Sequence, residues 1–190
     1  MADKALNIVE EYAQADIEAK IELIIRYYPN FLKIVDLHER ELQYIIKQEK
    51  AYNRRKAKGD LGVRVQTSGI SNPTFDEADE NLEMEKAFAS GDIEEVIKEL
   101  DAESYAAHSL EFETIQNMRE DYDSFTGRFF YLDEDVEFFE TYLSYGKHRT
   151  MQTADKLLEP EDTVRQRAYR CRKIVQAQTL AFLERKYSLV

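Results

Sequence analysis

MQTADKLLEPEDTVRQRAYRCRKIV, residues 151–175, sets two helical patterns on either side of an acidic, proline-centred turn. Met151, Ala154 and Leu157 mark one face of the first pattern, and Val164, Ala168, Cys171 and Val175 mark one face of the second. Pro160 cannot continue the first helix, and Asp162 is placed to cap the second. Two crossing helices need a small residue in the first and an apolar, often β-branched residue near the start of the second. Ala154 and Val164, ten residues apart, meet that need, with Leu157 as the intervening core contact. This spacing predicts a helix-turn-helix. Turning 100° per residue from Val164 places Ala168, Cys171, Val175 and Phe182 on the buried seam. Gln166, Tyr169, Arg170 and Lys173 fall on the opposite side, with Arg165 and Arg172 on one flank and Arg167 on the other.

The chain around this stretch is acidic. Its 190 residues carry a formal net charge of −12, with 26 Lys and Arg against 38 Asp and Glu. Between Phe75 and Tyr145 lie 22 acidic and four basic residues, whereas Gly146 to Val190 holds ten basic against five acidic. Positive charge is therefore segregated to the C-terminal module, where Arg149 joins the arginines of the second helix. A second basic patch comprises Arg54, Arg55, Lys56, Lys58 and Arg64. Six glycines and three prolines in a chain rich in Glu, Lys, Leu and Ala favour long helices. No stretch alternates polar and apolar as a strand does, so the predicted class is all-α. One cysteine, Cys171, excludes an internal disulfide and suits a reducing cytosol. No signal-peptide pattern opens the chain and no apolar run approaches the ~20 residues of a membrane span. The expectation is a cytoplasmic protein.

Before the C-terminal module, Ile8, Tyr12, Ile17, Ile21, Ile24 and Tyr28 outline a helix ending or kinking at Pro29. Phe31, Val35, Leu42, Ile46 and Tyr52 outline another that fades at Lys58-Gly59. Together they predict a long N-terminal hairpin or one kinked helix. Their stripes fit core packing or a coiled-coil dimer seam. Residues 59–73 are glycine-rich and aperiodic, either a flexible connection or an arm tracking a phosphate backbone through Arg64. Thr74 and Glu77 form a capping-box pattern for a helix reaching Ser90, where Gly91 stops it. Asp92 can cap a helix running to about Met118, Asp121 to Gly127 reads as a turn, and Asp133-Glu134-Asp135 suits the next helix N-terminus, with Gly146 as its stop. The expected partition is 1–58 hairpin, 59–73 linker, 74–145 acidic helical middle and 146–190 helix-turn-helix.

Catalytic patterns are missing. His38, His108 and His148 are scattered outside any zinc-ligand spacing, and no phosphate-binding glycine loop or nucleophile elbow occurs. With 38 acidic residues, close carboxylate pairs arise by chance. Neither an enzyme nor a metal or other cofactor is expected, and Cys171 reads as a small core residue.

Outward Gln and Arg near a helix N-terminus can bind adenine and guanine edges bidentately, while flanking arginines grip phosphates. Double-stranded DNA is therefore the expected ligand, contacted by Arg149, Arg165, Gln166, Arg167, Tyr169, Arg170, Arg172 and Lys173. A basic face that is merely solvated is the plain alternative. Phe139-x-x-Tyr142, Met151-x-x-Ala154-x-x-Leu157 and Val164-Arg165-Gln166-Arg167-Ala168 resemble phage transcriptional regulators of the ArpU/RinA type. Their C-terminal module is similar to the sigma-factor region that reads the −35 element. Arg54-Arg55-Lys56-x-x-Gly59-Asp60 and Ser71-Asn72-Pro73-Thr74 resemble the central portion of such proteins. The resemblance implies control of phage late genes through promoter DNA. In such a regulator the acidic helical body is expected to mediate homodimerisation or contact with RNA polymerase. Where such turns usually carry Gly, this chain has Leu158, so a turn rebuilt or lengthened around Pro160 is expected. Glu159, Glu161 and Asp162 crowd the start of the reading helix. The competing expectation is an acidic helical interaction module, or an inhibitor of a host nucleic-acid enzyme whose surface competes with DNA.

Overall fold

The computed structural model describes residues 8–57 and 73–188, with side chains placed throughout except at 73–77. Every regular element among the described residues is helical: α1 (Ile8–Gln14), α2 (Ile17–Tyr27), α3 (Phe31–Ala57), α4 (Pro73–Ser90), α5 (Glu94–Ile97), α6 (Ala102–Thr126), α7 (Val136–Ser144), α8 (Arg149–Leu157) and α9 (Glu161–Ser188). Short 3-10 segments occupy Tyr28–Asn30, Gly127–Asp135 and Gly146–His148. Among the described residues no helix is long and apolar enough to cross a membrane.

Two compact units emerge, one from residues 1–36 and 117–190, the other from residues 37–116. The linear partition drawn from sequence is not how contacts group the chain. In the first unit Tyr12, Ile24, Phe31, Phe125, Phe139, Val164 and Leu183 are buried. Phe31 stacks on Tyr122 at 5.5 Å, and Phe129 meets Phe125 and Phe139 edge-on at 5.3 Å each. Such ring pairs add about 0.5–1.5 kcal/mol beyond area burial. In the second unit Leu42, Ile46, Met84, Ile97 and Ile115 are buried, and Phe88 and Phe112 meet edge-on at 5.0 Å. Arg54 there ion-pairs with Glu80 and reaches Glu99 at 3.3 Å.

Local signals explain most boundaries and correct several expectations. The expected first helix is interrupted at Asp16, whose Oδ1 accepts the Ala19 amide at 2.8 Å and starts α2. Pro29 ends α2 in a 3-10 turn, as its missing donor requires. Gly91 at φ 79° and Gly146 at φ 60° take the left-handed conformations that stop α4 and α7. The helix expected from Asp92 is split: α5 ends at Ile97, and Asp101 restarts the chain as α6 by accepting the Ser104 and Glu103 amides at 3.0 and 3.1 Å. Those backbone bonds, the Ser104 amide first, hold the Asp101 carboxyl below its ordinary range. The linker with Lys58 and Arg64, and the Thr74 capping box, lie outside the described residues or their side chains.

The expected turn at Asp121 is absent, because α6 runs unbroken to Thr126. Asp121 is instead fully buried. Its Oδ2 accepts hydrogen bonds from the Tyr12 hydroxyl at 2.8 Å and the Tyr187 hydroxyl at 2.6 Å, and its Oδ1 takes Lys186 Nζ at 2.8 Å. Lys20 lies over the Tyr187 ring at 4.0 Å. Burial lowers the Lys20 pKa, while the Asp121 and Glu120 carboxylates hold Lys186 above its usual value despite its own burial. Removing one side of a buried charged pair leaves the other uncompensated. Asp121→Ala is therefore expected to cost on the order of 3–5 kcal/mol in urea unfolding, and Tyr187→Phe about 1–3 kcal/mol through one lost charged hydrogen bond.

Candidate nucleic-acid interface

α8 and α9 follow one another across a short turn at residues 158–160, with Ala154 and Val164 both buried. Thr153 is also fully buried, whereas Leu157, the expected intervening core contact, is 37% exposed. In the turn Leu158 adopts φ 56°, ψ 36°, the left-handed conformation that favours Gly. The Glu159 amide donates to the Ala154 carbonyl at 3.1 Å, closing a Schellman motif. Helix α9 opens on Pro160, whose carbonyl accepts the Thr163 and Val164 amides at 3.0 and 3.2 Å. Asp162 therefore lies inside the first turn and is not the cap; its Oδ1 accepts from Arg165 at 2.8 Å.

The seam of α9 is Val164, Ala168, Cys171, Val175, Thr179 and Leu183. Leu183 takes the place expected of Phe182, which is partly exposed under the Arg128 guanidinium at 4.3 Å. The change follows from the partners of α9, which packs on α8 near its start and also on α2 and the 127–135 segment. A strict 100° step from Val164 assumes one fixed neighbour.

Charge divides the expected contact residues into two groups. Arg167 donates to Asp135 at 2.6 Å and lies over the Phe138 ring at 4.2 Å. Arg172 ion-pairs with Glu22 on α2, and Gln176 donates to the same carboxylate at 2.6 Å. Arg149 donates to the Gly146 and Ile25 carbonyls at 2.7 and 3.1 Å, and burial depresses its pKa. These three arginines, expected among the DNA contacts, each make contacts within the fold. Arg165 is exposed but engaged by Asp162 and, at 3.8 Å, by Glu161. Gln166, Tyr169, Arg170 and Lys173 remain exposed along one face, and α9 carries no acidic residue between Thr163 and Leu183. Exposed Lys147, before the start of α8, and Lys156, in its last turn, are further cations that helix-face reasoning on α9 alone passes over. In the second patch Arg54 is taken by Glu80 and Glu99, while Arg55 and Lys56 are exposed.

Among the described residues no group of His, Cys, Asp or Glu could hold a metal ion. Searches against family models, curated proteins and solved structures return no match.

Leu158 holds a strained backbone without packing in return, being 92% exposed. Leu158→Gly is expected to raise unfolding stability by about 1 kcal/mol, as relief of a left-handed non-Gly residue implies. Burial, then the Asp135 carboxylate, pushes the Cys171 thiol up to about 11. The folded chain thus keeps this proton where the unfolded chain has lost it, so its contribution is full below about pH 8.5 and is lost as pH rises towards 11. The wild-type protein should lose stability over that window more steeply than Cys171→Ala, and native Cys171 should resist iodoacetamide at pH 8.

Proposed function

We propose that this chain is a DNA-binding regulator of transcription that presents α9 to the major groove of promoter DNA. The observation that carries the reading is the face Gln166, Tyr169, Arg170 and Lys173, exposed on a helix-turn-helix whose crossing is properly packed. Gln and Arg at these positions offer bidentate partners for adenine and guanine edges, Tyr169 offers an aromatic surface, and Lys173 a phosphate contact. Lys147, Lys156 and a partly neutralised Arg165 are the flanking phosphate ligands. The resemblance to ArpU/RinA-type regulators points the same way, towards late-gene control of a phage in its bacterial host, with the acidic helices meeting RNA polymerase.

The internal pairing of Arg149, Arg167 and Arg172 favours a second reading, an acidic interaction module, more than the bare count of arginines does. Salt dependence separates the two. With roughly four phosphate contacts per module, log Kobs should fall with log salt at a slope of about −3.6, well short of what six engaged cations would give. Arg170→Ala should weaken a selected site by about 1–3 kcal/mol without altering unfolding, whereas Arg167→Ala should act mainly through lost stability. Selection of duplex fragments from the source genome provides the ligand. No duplex binding at low salt would sink the DNA reading and leave the adaptor.

A further inference from the structure

Helix α3 carries a second apolar stripe that the described residues leave exposed. Leu37 (53%), Tyr44 (63%), Ile45 (41%) and Tyr52 (63%) are exposed large apolar residues, beside the buried stripe of Val35, Leu42 and Ile46. At 100° per residue the four fall within an arc of about 100° on one side of the helix. Their spacing is symmetrical about the Tyr44–Ile45 peptide bond: Leu37 stands as far before it as Tyr52 stands after it. A two-fold axis through that bond, perpendicular to the helix, would pair Leu37 with Tyr52 of a second copy, and Tyr44 with its Ile45. Glu41 and Gln48, exposed on the same face, exchange in the same register. A self-complementary patch is what an isologous contact requires.

Charge selects the direction. The last turn of α3 holds Arg54, Arg55 and Lys56, with Arg55 and Lys56 exposed. Parallel pairing would stack those cations on their own copies, whereas antiparallel pairing sends the two basic ends apart. Beside Tyr52 lies an open groove of about 530 Å³ walled by Gln48, Asn53, Arg55 and Ser104, and the partner's Leu37 arrives at its edge. Two exposed tyrosines and two aliphatic side chains withdraw on the order of 400 Å² per copy, with flanking polar contacts extending the pair towards the ~1,200 Å² lower bound for specific interfaces.

We propose that the exposed face of α3 is a homodimer contact in which two copies of this chain pair antiparallel about Tyr44–Ile45. Its test needs no DNA, so its outcome is independent of the regulatory reading. Sedimentation equilibrium of the full chain should show a monomer–dimer equilibrium. Tyr44→Glu with Tyr52→Glu should weaken it at least tenfold while circular dichroism and Tm stay near wild type. For register, single cysteines are placed in a Cys171→Ala background. Oxidising a mixture of Leu37→Cys and Tyr52→Cys chains should give the mixed disulfide dimer in excess over either self-linked product. A chain that stays monomeric up to several hundred micromolar overturns the proposal. So does a dimer that the double substitution leaves intact, or preferential self-linking through Leu37→Cys.

Discussion

One buried carboxylate sets the terms for the first unit. A carboxyl group can be buried at low cost only if hydrogen-bond donors reach it, and those of Asp121 come from distant parts of the chain: Tyr12 on α1, and Lys186 and Tyr187 at the end of α9. The backbone around each donor must be placed to within hydrogen-bonding tolerance, so the two ends of the chain are ordered together about α6. The C-terminal helix-turn-helix is therefore no detachable bead on a linker. Its long helix ends in the same network that fixes the N-terminal helices, and cutting the chain at Gly146 would strip Asp121 of two of its three donors.

Desolvation also decides what α9 has left to offer a ligand. Arginine is the residue most easily held between two elements, because its planar fork satisfies a carboxylate while its stem and face pack on apolar atoms. Arg167 does this between Asp135 and Phe138, and Arg172 with Glu22. A count of arginines overstates the positive field of this surface, since an arginine closed onto a carboxylate contributes little beyond a few ångströms. The outward face owes its charge chiefly to Arg170 and Lys173.

Periodicity and turn chemistry made much of this legible from sequence. The all-α class, the seam from Val164 to Val175, the small residue at Ala154 and the glycine stops at Gly91 and Gly146 all rest on local rules, and local rules held. Failures came where one residue type serves several ends. Asp16 and Asp101 are caps and Asp121 is a core anchor, yet among 38 acidic residues nothing local distinguishes them. Asp121 looks like a helix breaker because its compensating donors lie 65 to 109 residues away. The division of arginines into exposed and bracing has the same origin, as Glu22 is 150 residues from Arg172. Leu158 shows a different limit: a left-handed position need not be marked by glycine when the helix pair around it fixes the backbone.

The length of α9 has a mechanical meaning. Twenty residues separate Gln166 from Lys186, which at 1.5 Å per residue is a rod of about 30 Å with its outward face at one end and its anchor at the other. A tilt of about five degrees at the Asp121 end would carry Gln166 through roughly 2.5 Å, a displacement that the Arg167–Asp135 and Arg172–Glu22 pairs along the rod resist. Whatever steadies Tyr12, Lys20 and Tyr187 thereby sets the aim of side chains it never touches.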